Sequence, residues 1–207
     1  MIWWPAGWVG GRFSMISVVI ATHDSEGLLV PTLAALVPGA VAGIVREVIV
    51  ADGGSTDATA KVADVAGCRF VATAAPLGER LKAAAALSRA PWLLFLQPGV
   101  VPDAAWIDEA TRFMRQAEAD KGAAVFRPAG QAGGRRSAIM EALALLAAAL
   151  IVRARPAQGL LIAKRHYDAL GGHHPDRADP EQDLLRRIGW RRLVMLRSGA
   201  LKVADRV

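Results

Sequence analysis

Residues 47–57 read EVIVADGGSTD, and this stretch decides the fold. Val48, Ile49 and Val50 form a β-branched apolar run too short for a helix and suited to a strand buried on both faces. Asp52-Gly53-Gly54 then breaks the run, and the paired glycines let the backbone turn sharply and approach a ligand. Ser55 or Thr56 is placed to cap a helix over 57–66, whose N-terminus favours an anion. Asp52, at the end of the strand, is placed to accept hydrogen bonds from a nucleobase imide or a ribose hydroxyl. The same pattern also reads as a plain strand–turn–helix cap. It is neither a Walker phosphate loop nor GxGxxG.

Working outward, ISVVIA at 16–21 is a second buried strand, and Leu28, Leu29, Leu33 and Leu36 share one face of a helix over 26–36, in which Pro31 is tolerated if it sits in the first turn. Downstream come a strand at 69–73, an alanine-rich helix at 79–88, a strand at 92–96 (WLLFL) and a helix over 102–119 opened by proline and acidic residues. The rhythm weakens after 122, with strands expected at 123–127 and 159–163 and helices at 164–170 and 180–188. This alternation predicts one α/β domain built on a mixed, mainly parallel sheet with helices on both faces. Ligands in such sheets bind beyond the carboxyl ends of the strands. The loops to search are therefore THDSE (22–26), DGGSTD (52–57) and QPGVVPD (97–103).

The chain has 207 residues, 53% of them hydrophobic and 21% charged, enough for a full core and unlike a disordered polymer. Its single cysteine, Cys68, excludes an intrachain disulfide framework and a thiolate zinc cluster. The net charge of +6 concentrates late, at Arg186, Arg187, Arg191, Arg192 and Arg197. That basic stretch reads either as a face for phosphates, anionic lipid or acidic ligands, or as a solvated helix end. No stacking platform or recognised motif beside it points to nucleic acid. Residues 1–14 lack the basic start and apolar middle of a secretory signal and read as an extension ahead of a domain spanning 15–207. Residues 142–152, ALALLAAALIV, lie between Arg135, Arg136, Arg153 and Arg155. Eleven helical residues rise about 16 Å, roughly half the hydrocarbon thickness, so the segment does not span a membrane. It is either a buried helix or one that lies in the membrane surface through 135–155.

Taken together, residues 16–36, 46–59 (REVIVADGGSTDAT) and 91–106 (PWLLFLQPGVVPDAAW) resemble the nucleotide-sugar half of family 2 glycosyltransferases, inverting enzymes of the GT-A fold. QGLLIAKRHYDALGGH (158–173) and DPEQDLLRRIG (179–189) resemble the acceptor-side segment of that family. The resemblance implies a nucleotide-sugar half over 15–120 and an acceptor half over 121–207. Carried over by position, it implies that Ala21, Thr22 and Gly53 line the nucleotide pocket, with Glu26 near the ribose or base, Asp52 on the base and Arg80 on the diphosphate. The asparagine usual in the family a few residues after Arg80 is replaced by Ala83.

The family normally carries Asp-x-Asp after the fourth strand, where the last aspartate holds Mg2+ or Mn2+ against the diphosphate. Here Gln97-Pro98-Gly99 stands in that place, with Gln97 on the donor side. Hard divalent cations want anionic oxygens. Asp103 is the next carboxylate along, and it substitutes only if the loop folds back. Otherwise Arg80, Lys82 or the late arginines must neutralise the leaving diphosphate. The family's catalytic base falls in Asp179-Pro180-Glu181-Gln182-Asp183, so Glu181 and Asp183 are the candidates, and an acidic turn that merely stabilises its helix is the alternative. His166, His173 and His174 have a spacing open to metal binding, although no carboxylate pattern accompanies them.

The expected activity is transfer of a sugar from a nucleoside-diphosphate donor to a hydroxyl acceptor with inversion. The expected acceptor is a lipid-linked or cell-envelope glycan, met at the cytoplasmic membrane face. The alternative is a relative that binds a nucleotide or a protein partner without turnover. A nucleotidyltransferase would open with a glycine-rich phosphate loop after its first strand, and residues 22–27 are not one.

Overall fold

The computed structural model describes residues 15–116, 118–128 and 156–204. Its first half alternates as expected: β1 (Ile16–Thr22), α1 (Glu26–Val41), β2 (Val45–Asp52), α2 (Thr59–Val65), β3 (Arg69–Ala72), α3 (Leu77–Leu87) and β4 (Trp92–Leu96). There follow β5 (Val100–Pro102), α4 (Trp106–Met114), β6 (Ala123–Pro128), β7 (Leu160–Ala163), α5 (Lys164–Ala169), α6 (Pro180–Ile188) and β8 (Leu193–Lys202). The strands form one sheet in the order β3-β2-β1-β4-β7-β6-β8-β5. β7 runs antiparallel to β4 and β6, and β5 antiparallel to β8, while the remaining pairings are parallel.

Side chains alternate across this sheet, so each strand feeds two cores. Ile16, Val18 and Ile20 of β1 meet Leu29, Leu33 and Leu36 of α1 and Trp106 and Phe113 of α4 on one face. Val19, Ile49 and Phe95 meet Leu81 and Ala84 of α3, Tyr167 of α5 and Leu184 and Ile188 of α6 on the other. Helices therefore cover both faces, as the near-continuous apolar strands require.

Three expectations are corrected. The helix placed at 102–119 is two elements, because Pro102 ends β5 and the helix proper starts at Trp106. α1 runs to Val41 with Pro31 and Pro38 inside it, so Pro31 lies beyond the first turn. α2 starts at Thr59 behind Ala58, and neither Ser55 nor Thr56 caps it. β8 was not anticipated at all. Its buried residues are Leu196, Ser198 and Ala200, of which only Leu196 is a large apolar side chain, and β6 and β5 recruit the strand from either side. The apolar segment 142–152 and the extension 1–14 lie outside the described residues.

Candidate active site

β1, β2 and β4 run parallel, so Thr22, Asp52 and Gln97 all sit at one edge of the sheet. Asp52 is 1% exposed, and its carboxylate is fully used within the chain. Oδ1 accepts from the hydroxyls of Thr22 and Ser55, and Oδ2 from the backbone N–H groups of Gly54 and Ser55. Burial opposes ionisation, but the Ser55, Thr22 and Gly54 donors outweigh it and hold the carboxyl below its usual range. A nucleobase reaching Asp52 must displace one of these four donors.

The first two loops clasp each other. The Glu26 carboxylate accepts from the N–H of Ala58 at 2.7 Å, and the Asp57 carboxylate accepts from the N–H of Glu26 at 3.0 Å. Each acidic residue thus satisfies orphan donors at the start of the other's helix. Asp24, held in left-handed backbone (φ 43°), adds an oxygen that accepts from the N–H of Thr56 at 2.7 Å. Behind the clasp, Arg80 Nη1 donates to the carbonyls of Thr22 and Ala51, each at 2.9 Å. Its Nε is buried with no hydrogen-bond partner among the described residues. Gly53 makes room for this guanidinium, since a Cβ there would lie 2.8 Å from Nη1. Ala21, partly buried opposite Ala51, completes the wall.

Glu181, in the first turn of α6, meets the turn after β4. Gln97 Nε2 donates to its Oε2 at 2.8 Å, and Lys202 Nζ, at the end of β8, donates to Gln97 Oε1 at 3.3 Å. Glu181 borders a small hollow lined by Phe95, Gly159, His173 and Leu185. Burial there pushes its carboxyl above the usual range despite the Gln97 donor. Asp183 has the opposite environment. Burial works against its ionisation, but Arg187, with Nε 2.8 Å from Oδ2, and the charges of Arg177 and His174 hold it low. Arg187 also donates to the carbonyls of Leu170 and Gly172, each at 2.6 Å, so Asp183 anchors the cation that fixes the Gly-Gly turn. Asp179 caps α6 by accepting from the N–H of Gln182.

The candidate metal ligands are spent elsewhere. Asp103 Oδ1 accepts from Ala105 N and Ser198 Oγ, and its Oδ2 accepts from Gly199 N at 2.6 Å, which fastens β8 to the turn before α4. His173 is 1% exposed, and its Nδ1 faces the Tyr167 hydroxyl at 2.9 Å. Burial, helped by the charge of Arg187, lowers its pKa to about 3, so the ring is neutral and part of the core. Among the described residues no three His, Cys, Asp or Glu side chains gather as a metal site. Arg191 and Arg192 precede β8, whose start pairs with the start of β6, so they lie at the edge opposite the clasped loops. Of the functional candidates, Lys202 was missed because no local pattern marks it.

A model of glycosyl transferase family 2 matches residues 17–141. The chain belongs to glycosyl transferase family 2. No curated protein matches it. Among solved structures, this family 2 chain is similar to glucosyl-3-phosphoglycerate synthase from Mycobacterium tuberculosis in complex with Mn2+, UDP and glucosyl-3-phosphoglycerate. The TM-score is 0.67 at 19% identity, covering 100% of this chain and 79% of that one. The complex of the same synthase with Mn2+ and UDP-glucose gives 0.66 at 20% identity, covering 100% and 78%. S. aureus TarS (residues 1–349) gives 0.65 at 15% identity, covering 93% and 59%. At these identities the likeness establishes the GT-A-like fold of this glycosyltransferase family member.

Proposed function

We propose that this chain transfers a glycosyl group from a nucleoside-diphosphate sugar to an acceptor hydroxyl, with inversion at the anomeric carbon. The observation that carries this reading is Glu181, a carboxylate held above its usual range at the sheet edge where the Arg80-backed loops converge. Family membership and the UDP-glucose complex of a structural neighbour support it. Ala21, Thr22 and Gly53, with the Gly53 N–H donated to the Thr22 carbonyl, form the wall against which the nucleoside would rest, while Asp52 and Glu26 hold the pocket's shape. Arg80 brings positive charge to the diphosphate side. The acceptor oxygen attacks the anomeric carbon as its proton passes to Glu181. The bond from that carbon to the β-phosphate oxygen breaks, and the nucleoside diphosphate leaves with the electron pair. A raised pKa suits this base, because it brings the carboxylate closer to the working pH. Asp183, already neutralised by Arg187, positions the acceptor-side turn.

Release of UDP or GDP from UDP-glucose, UDP-N-acetylglucosamine and GDP-mannose, with a panel of hydroxyl acceptors, tests the proposal. Glu181→Gln should keep calorimetric nucleotide affinity and lose roughly 100-fold or more in release. Unchanged release in that variant would sink the assignment of the base. The replaced Asp-x-Asp at Gln97-Pro98-Gly99 favours a second reading, nucleotide binding without turnover. Tight binding with no release from any donor would select it. We also infer a lipid-linked acceptor, supported by the arginine-flanked apolar segment 142–152. No helix among the described residues is long and apolar enough to cross a membrane.

A further inference from the structure

The turn after β4 excludes a carboxylate where the family holds its metal and brings in an ammonium group instead. Gly99 is wedged in place: its N–H meets the carbonyl of Leu28 and the hydroxyl of Thr32, both at 2.9 Å, and its carbonyl accepts from Val203 N at 2.8 Å. Its φ is +83°, and a Cβ would lie 2.9 Å from the Val203 carbonyl oxygen and 3.2 Å from Leu28 Cδ2. An aspartate there would have to push away the chain end that follows β8. Asp103 is not free to replace it, because both its oxygens hold the turn and strand at Ala105, Ser198 and Gly199. The described residues at this turn do not fit a divalent cation.

The same contacts deliver Lys202. β8 docks antiparallel on β5 with Lys202 opposite Val100, three residues beyond Gln97. The Gln97 amide turns its carbonyl to the Lys202 ammonium and its NH2 to the Glu181 carboxylate, so cation and base are held on the two ends of one side chain. Lys202 is exposed, and an ammonium has three donors, of which Gln97 takes one. Resting on the reading above, the geometry points to Lys202 as the cation that meets the donor diphosphate in place of a divalent metal, which makes donor binding metal-independent. A lysine binds phosphate as a point charge and needs no ligand cage. As the anomeric bond breaks, Lys202 and Arg80 share the charge developing on the departing diphosphate.

The test is calorimetric titration of the full chain with UDP and with GDP, in EDTA and in MnCl2. The wild type should bind at least one nucleotide with affinities in the two buffers that agree within about twofold. Lys202→Met should weaken that binding roughly tenfold or more and flatten its dependence on salt, and Lys202→Arg should recover most of it. Circular dichroism checks that the variants fold. A wild type that binds only with Mn2+, or a Lys202→Met variant that binds like wild type, overturns this inference and leaves the proposed transferase standing. Failure of the wild type to bind either nucleotide in either buffer overturns the proposed function and this inference together.

Discussion

At the scale of single residues, Glu181 as the proposed base carries two opposing demands, since burial favours its neutral form while proton abstraction would need the carboxylate. A base of this kind would be active only when ionised, so under this proposal release of nucleoside diphosphate should climb with pH through a pKa above the ordinary glutamate range. The sign for stability runs the other way. An acid whose folded pKa is raised binds its proton more tightly folded than unfolded, so its contribution is lost as pH rises above 4.5. Glu181→Gln should therefore melt higher than wild type at pH 8 and gain less at pH 4. His173 has the opposite linkage. Its folded pKa of about 3 lies below the unfolded 6.5, so stability is fully present above 6.5 and drains away as pH falls toward 3. The loss approaches about 1.4 kcal/mol per pH unit inside that window. Denaturant titrations at pH 7, 6, 5 and 4 should show this slope in wild type and a shallower one in His173→Gln. Equal slopes would mean the ring is not held neutral in the core.

At the scale of elements, the clasp between the β1–α1 and β2–α2 loops is a device of charge and backbone rather than of apolar packing. Glu26 and Asp57 each serve the other's helix, and Arg80 on α3 holds both strand ends from beneath. Gly53→Ala should disturb it locally, because the added Cβ meets the far end of a flexible side chain. We expect roughly tenfold weaker nucleotide binding with little change in melting temperature, and almost no further effect in an Arg80→Ala background. Additive losses in that cycle would separate Gly53 from Arg80. The strand–turn–helix units themselves were legible in the sequence, since β-branched runs at 16–21 and 47–51 and the Gly-Gly turn are local signals. The capping roles were not. Ser55 looked like a cap, but Asp52 takes its hydroxyl, the N–H of Thr59 goes to Asp57, and the N–H of Ala58 goes to Glu26, 32 residues away.

At the scale of the whole molecule, strand direction sorts the charges. β8 runs parallel to β6, so its start leaves Arg191 and Arg192 at one edge of the sheet and its end carries Lys202 to the other, where Gln97 and Glu181 wait. Replacing Arg191 and Arg192 together by glutamine should leave UDP and GDP affinity within about twofold of wild type. A tenfold loss would place those arginines in the donor site. The basic cluster was conspicuous in the sequence, while Lys202, a single exposed lysine, was inconspicuous.

The sequence by itself determined the α/β class, the buried strands at 16–21, 47–51 and 92–96, and the family. Each of these rests on a local pattern, either hydrophobic periodicity or glycine punctuation, that neighbouring residues write together. Only the tertiary structure decided that Asp52 is saturated, that Asp183 is a partner for Arg187, that Asp103 fastens β8, and that Gln97 joins Glu181 to Lys202. The reason is distance along the chain. Gln97 lies 84 residues from Glu181 and 105 from Lys202, so their roles arise where the sheet brings distant strand ends together.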